Sequence, residues 1–226
     1  MPEFRGRLAR LRIDAGRWGW ARTISRRLAA KLGSLIGVSV AQIRERRFDD
    51  DVPPIEVAHD LELRELSVDE LFAYPDLAEI QLSENFLRAA ASRGDRMFAA
   101  LKNERIVGYT VRAIGGGPHI DGIWVVTPPD IAYAFKSFVV PDFRGRRISP
   151  SLILLSDDAM RDAGCNSRIG FVAVSNLASL RVGKRVGSRV VGYAGYLKRF
   201  GICITFRSPG AKSAGFKFTF TEPASN

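Results

Sequence analysis

Two cysteines and two histidines are all that the 226 residues contain. Cys165 and Cys203 stand far apart in a long chain, which argues against a disulfide framework and for reduced thiols in a cytoplasmic setting. His59 and His119 are too few for a histidine zinc site and no CxxC pair joins them, so no metal is expected. No run of about 18 apolar residues occurs, which excludes a membrane-spanning helix. The Arg-rich start lacks a continuous apolar segment, which argues against a secretory signal. Internal repeats and low-complexity tracts are absent. The remainder is ordinary globular usage, 46% hydrophobic and 26% charged. A chain of this length buries roughly 70% of its unfolded surface and needs no staple to fold.

Acidic residues are scarce overall, and the net charge is +10. The imbalance is uneven: +7 over residues 1–50, −7 over 51–100 and +10 over 101–226. A basic total points to nucleic acid, an anionic surface or a phosphorylated ligand. Two basic blocks around an acidic one point to two separate causes. In the first block Trp20, Ile24, Leu28, Leu32 and Leu35 recur at helical spacing, with Arg22 and Arg26 opposite. Two readings stand open: a basic amphipathic helix over residues 17–36 lying on an anionic membrane, or a helix docked on the main domain. Trp18 and Trp20 also suit base stacking. The acidic stretch that follows would repel phosphate and no binding motif appears, so nucleic acid is not expected.

Residues 1–54 read as a basic helical extension closed by the linker Asp49-Asp50-Asp51-Val52-Pro53-Pro54. The spacing then predicts a strand over Ile55–Leu66, a helix capped by Ser67 with Glu70 three residues on, and a second helix over 76–93 stopped by Gly94. Strands follow at Met97–Lys102, Arg105–Ile114, Ile120–Thr127 and Ile131–Val140, with Gly115-Gly116-Gly117-Pro118 as a break. A helix runs to about Ala163 and ends at Gly164. Ser167–Val174 is a strand, Asn176–Val186 a short helix, and Arg189–Phe206 one or two closing strands. Residues 208–226 read as a tail, with an extra strand at Phe216-Phe218-Phe220.

The chemistry concentrates behind the mostly apolar strand Ile131–Val140. A strand ending in a glycine turn that opens a helix offers free N–H groups and a positive dipole end. Arg144, Arg146 and Arg147 add three cations there, which suits a pyrophosphate. The run Phe138-Val139-Val140-Pro141-Asp142-Phe143-Arg144-Gly145-Arg146-Arg147-Ile148-Ser149 resembles the acyl-CoA-binding motif of the GNAT acyltransferases, the Gcn5-related N-acetyltransferases. Val174-Ser175-Asn176-Leu177-Ala178-Ser179-Leu180-Arg181 and Arg185-Val186-Gly187 are similar to that family's second signature. The resemblance covers about residues 56–206.

It implies an α/β (α+β) fold, a mixed and mostly antiparallel central sheet with helices on both faces, here carrying the N-terminal extension, with the domain over 55–207. It implies that Phe138, Val139 and Val140 bond the pantetheine through their backbone and that Arg144, Gly145, Arg146, Arg147, Ile148 and Ser149 hold the pyrophosphate. Asn176 and Ser179 would meet the cofactor arm. The implied reaction is direct attack of an amine on the thioester of acetyl-CoA or another acyl-CoA, in a ternary complex without metal. The acceptor would be a small-molecule or glycan amine, the location cytoplasmic or peripheral to the inner face of the membrane, and a homodimer is compatible with this. Two turn glycines of the family are Arg147 and Ser149 here. The tyrosine that often protonates the thiolate falls at Gly183, and the aromatic of the closing Gly-Phe pair is Ser188. A missing tyrosine leaves room for a longer acyl chain. Tyr133, His119 and Asp121 are the candidate bases, each with a structural alternative as packed strand residue, loop histidine or turn former. The competing reading is a GNAT-like module that binds CoA or a partner without catalysis, or an enzyme served by a longer-chain or carrier-protein donor.

Overall fold

The computed structural model describes residues 37–220 except 54, 56–59, 76, 121, 200 and 201. The amphipathic stripe over 17–36, His59 and Asp121 therefore lie outside the described residues. The elements are β1 (Val38–Arg47), β2 (Glu62–Leu66), α1 (Val68–Phe72), α2 (Glu84–Arg93), β3 (Arg96–Lys102), β4 (Arg105–Ile114), β5 (Gly116–Ile120), β6 (Ile123–Val126), β7 (Ile131–Val139), α3 (Ile148–Asp162), β8 (Ser167–Ala173), α4 (Leu177–Arg185), β9 (Arg189–Arg199), β10 (Ile202–Arg207), α5 (Pro209–Ser213) and β11 (Lys217–Thr219). No helix among them is long and apolar enough to cross a membrane.

Eight strands form one sheet in the order β10-β9-β1-β8-β7-β4-β3-β2, and β11-β6-β5 form a second. Every pairing in the large sheet is antiparallel except β7 with β8. A parallel pair needs a crossover, and α3 supplies it. One face of the sheet packs Phe98, Ala100 and Val107 against Ile148 and Leu152 of α3. The other carries α1 and α2, with Leu71, Leu82 and Leu87 against Met97, Tyr109 and Val111. A third cluster joins Ile43, Tyr133 and Ile169 to Phe216 and Phe218 beneath the small sheet. The mixed sheet with helices on both faces is as expected.

Local signals explain most boundaries. Ser67 and Glu70 exchange both bonds of a capping box at the start of α1. Gly94, Gly164 and Gly187 take positive φ at or just past their helix ends. Four expectations change. Residues 38–47 belong to no helical extension: they form β1, seated between β8 and β9 with Ala41 and Ile43 buried. The described strand that follows starts at Glu62. The second helix starts at Glu84 because Ser83 caps it and Gln81 is left-handed, a conformation no helix continues through. Most of the strand expected at Ile120–Thr127 is β6, but the expected break before it forms β5, and the two make a hairpin that leaves the main sheet. Gly116 permits this: a Cβ there would lie 2.0 Å from the Val125 carbonyl oxygen.

Candidate functional site

β7 pairs with β8 only from Ile131↔Ser167 to Ala134↔Gly170. Beyond that the two strands are unpaired although β7 runs on to Val139 and β8 to Ala173. On its other edge β7 stays paired to β4, where Thr110↔Ser137 is followed by Arg112↔Ala134. Three steps on β7 against two on β4 make a bulge at the parting point, and bulges re-aim side chains.

After β7 the chain makes a short 3₁₀ turn at Pro141–Phe143. Arg144 Nε donates to the Val139 carbonyl at 3.1 Å and ties the turn to the strand end. Gly145 has φ 89° and Arg147 φ 62°. α3 then begins with no side-chain cap, so its first-turn N–H groups have no side-chain partner. Arg147 occupies a left-handed position that costs a non-glycine residue roughly 1–2 kcal/mol. Its carbonyl accepts from Ser151 Oγ at 2.9 Å, which holds the strained residue in place.

Beside this turn lies a cleft of about 440 Å³. Of the expected donor-site residues, Phe138, Val139, Arg144, Gly145, Arg147, Ile148, Ser149 and Ser179 line it. Three do not. Val140 lines a separate cleft of about 520 Å³ near Ile106 and Phe143. Arg146 turns to Asp60 (3.4 Å) and lies over the Phe143 ring. Asn176 caps α4 by accepting from the Ser179 N–H at 3.1 Å. Reading by motif missed Ser137 and the Ala178–Val182–Arg185 face of α4, which also line the cleft. Positions 178, 182 and 185 share a helix face, a legible signal. Ser137 gave none.

On the other side of β7 a cleft of about 510 Å³ is lined by Phe86, His119, Trp124, Tyr133, Phe135 and Lys136, among others. Two candidate bases thus meet in one place. Tyr133 is fully buried and stacks on Phe135 at 5.4 Å. Its hydroxyl has no hydrogen-bond partner, and burial pushes its pKa well up, so it keeps its proton. His119 is ringed by Phe171, Tyr196 and Phe218, with Nε2 3.1 Å from the Tyr196 hydroxyl. Burial lowers its pKa to about 4, so the ring is neutral at pH 7. The Lys136 ammonium sits 4.3 Å from the Phe86 ring centre, and burial lowers its pKa as well.

Both departures at the end of the second signature trace to arginines. A Cβ on Gly183 would lie 2.8 Å from Arg44 Nε. The space expected to be empty there is filled, so room for a longer acyl chain does not follow from the missing tyrosine. Arg44 also donates to Gln42 Oε1 (2.7 Å) and to the Ser188 carbonyl. Arg168 donates to Ser188 Oγ at 3.1 Å. Ser188 is thus an anchor for two cations where an aromatic was expected. Behind them Asp157, fully buried on α3, accepts from Arg46 (2.9 Å) and Arg168 (2.7 Å).

A family model described as the acetyltransferase (GNAT) family matches residues 59–188, more than half of the chain. No curated protein matches it. Among solved structures, a GCN5-related N-acetyltransferase from Sphaerobacter thermophilus aligns with a TM-score of 0.52 at 17% identity, covering 80% of this chain and 55% of that one. A Drosophila protein aligns with a TM-score of 0.52 at 13% identity, covering 77% and 57%. The aminoglycoside N-acetyltransferase AAC(6')-Iy, in complex with CoA, aligns with a TM-score of 0.44 at 16% identity, covering 65% and 98%. This chain spans little more than half the length of the first two, and the likeness to them is one of fold. With the family model laid over the strand that parts, the arginine turn and the helix behind it, the chain belongs to the GNAT family of acetyltransferases.

Proposed function

We propose that the protein moves an acetyl group from acetyl-CoA to the amine of a small molecule or glycan by direct attack in a ternary complex. The observation that carries this reading is the parting of β7 from β8 beside an uncapped, arginine-lined helix start. The cleft suits the donor. Arg144, Arg147 and Arg185 line it, and a Cβ on Gly145 would meet nothing within 4 Å, which leaves backbone open to a phosphate. The unpaired half of β7 would offer its edge to the pantetheine amides, as a sheet edge offers itself to any extended chain.

The aromatic cleft across β7 is the proposed acceptor side. Phe86, Trp124 and Phe135 present flat faces that suit a ring or an apolar body. Neutral attack needs an unprotonated amine. His119, held at a pKa of about 4, is a weak base at neutral pH, and Tyr133 keeps its proton. We assign proton removal from the attacking amine to solvent reaching this cleft, with His119 and Tyr133 shaping its wall.

Calorimetric titration with acetyl-CoA tests the donor site. Micromolar binding, weakened about tenfold or more in Arg144→Ala, is expected from loss of a charge-assisted contact. Binding to no CoA species would discard the reading, and equal or better binding of long acyl donors would discard the acetyl preference.

A further inference from the structure

Ser137 is the residue of the donor cleft that lies nearest, along β7, to the point where β7 and β8 part. The arginine turn lines the same cleft through Arg144, Gly145 and Arg147. A donor anchored by its pyrophosphate at the turn brings its sulfur toward Ser137. This placement rests on the function proposed above.

Ser137 is exposed on the cleft side and is held from behind by a buried chain. Its Oγ lies 2.7 Å from Thr110 Oγ1, and Thr110 Oγ1 lies 2.7 Å from Arg112 Nη1. Thr110 and Arg112 are each only 1% exposed. Donor and acceptor inventories fix the first link of this chain. A guanidinium donates and never accepts, so Thr110 Oγ1 receives a proton from Arg112. Arg112 takes no proton, so the single hydroxyl proton of Thr110 is free to go to Ser137, although either hydroxyl can donate across the 2.7 Å contact. With Thr110 donating, Ser137 Oγ accepts from behind and its own O–H is free to turn into the cleft. Arg112 supplies the polarity. Its Nε and Nη2 are buried without partners, and the nearby carboxylate Asp157 is bonded to Arg46 and Arg168 instead. Burial, with Arg168 adding to it, lowers the Arg112 pKa to about 9, so the group is still a cation at pH 7.

We infer that Ser137 is a hydrogen-bond donor to the sulfur of the acyl donor, with Thr110 and Arg112 behind it as the orienting chain, and that it stabilises the departing thiolate where the family's tyrosine is absent. In the step, the amine nitrogen forms the bond to the acyl carbon and the carbon–sulfur bond breaks. The electron pair stays on sulfur, the nitrogen's proton passes to water, and Ser137 keeps its own proton throughout. A thiolate is a good leaving group at neutral pH, so a hydrogen bond suffices where a stronger acid is missing.

The test is the ionisation of CoA itself bound to the full chain, read by the ultraviolet absorbance of the thiolate against pH. Arg144, Arg147 and Arg185 face the same cleft and lower the thiol pKa in every variant, so the comparison isolates Ser137. In the wild type the bound thiol is expected below the free value of about 8.5. Ser137→Ala should keep CoA bound and raise the thiol pKa by about one unit, the scale of one hydrogen bond to a charged acceptor. Ser137→Thr should stay near the wild type. Thr110→Val, nearly isosteric and remote from the ligand, should shift the pKa in the same direction as Ser137→Ala. An unchanged pKa in Ser137→Ala with CoA bound overturns the inference, as does loss of all binding in that variant. A shift in Ser137→Ala without one in Thr110→Val overturns the orienting chain. Absence of CoA binding in the wild type is a separate result, one that removes the proposed function and this inference with it.

Discussion

His119 shows how far a single side chain can be read before its surroundings are known. Between Pro118 and Ile120 it looks like a loop histidine, yet three aromatic rings enclose it and its pKa falls to about 4. In the unfolded chain the same ring titrates near 6.5. Above that pH both states are neutral. As pH falls from about 6.5 to about 4 the unfolded state takes up a proton that the folded state refuses, so this stability is present above about 6.5 and is lost across that window. His119→Gln removes the titration while keeping a polar partner for Tyr196. Urea midpoints measured at pH 7 and pH 5 should differ less in the variant than in the wild type. Equal differences would place the acid sensitivity elsewhere. Arg147 makes the same point: its charge is visible in sequence, but its left-handed backbone is not.

α3 does more than link two parallel strands. Its N-terminus faces the donor cleft, and two residues past its middle Asp157 clamps Arg46 of β1 and Arg168 of β8. All three side chains are buried, with exposures of 6%, 0% and 7% for Arg46, Asp157 and Arg168. A buried pair adds little net stability as a whole, but removing one partner leaves charges stranded in a low dielectric. Asp157→Asn should destabilise the protein by about 3–5 kcal/mol, read as a lower urea midpoint at unchanged slope. A loss below about 1 kcal/mol would mean that water reaches the arginines. The apolar period of α3 was legible. The carboxylate on its buried face reads in sequence as an ordinary charged position, because only the pairing of β1 with β8 brings Arg46 beside Arg168.

The unit that folds is wider than the motif-bearing segment. The domain expected over 55–207 omits β1, which is paired on both edges, and omits Phe216 and Phe218, which lie in the core under the small sheet. Each such buried side chain contributes about 1.5–3 kcal/mol, and total stability is only about 5–15 kcal/mol. The fragment 55–207 should therefore lack a cooperative thermal transition under conditions where the full chain shows one. A sharp transition in the fragment would show that β8 and β9 can close without β1.

Local order was open to reading because its causes are local. Ser67 with Glu70, the glycines past the helix ends and the short apolar runs of β3, β4 and β7 act over a few residues, where propensity and capping decide. So did the arginine turn, since a strand, a glycine and a helix start lie within a dozen positions. Whatever depended on distant partners was not readable. Gly183 and Ser188 look like losses until Arg44 and Arg168 arrive from β1 and β8. Ser137 looks like any strand serine until β4 sets Thr110 and Arg112 behind it. Sequence carries the donors and acceptors of such groups. Only the packed sheet decides which of them meet, because burial and pairing join residues that the chain keeps far apart.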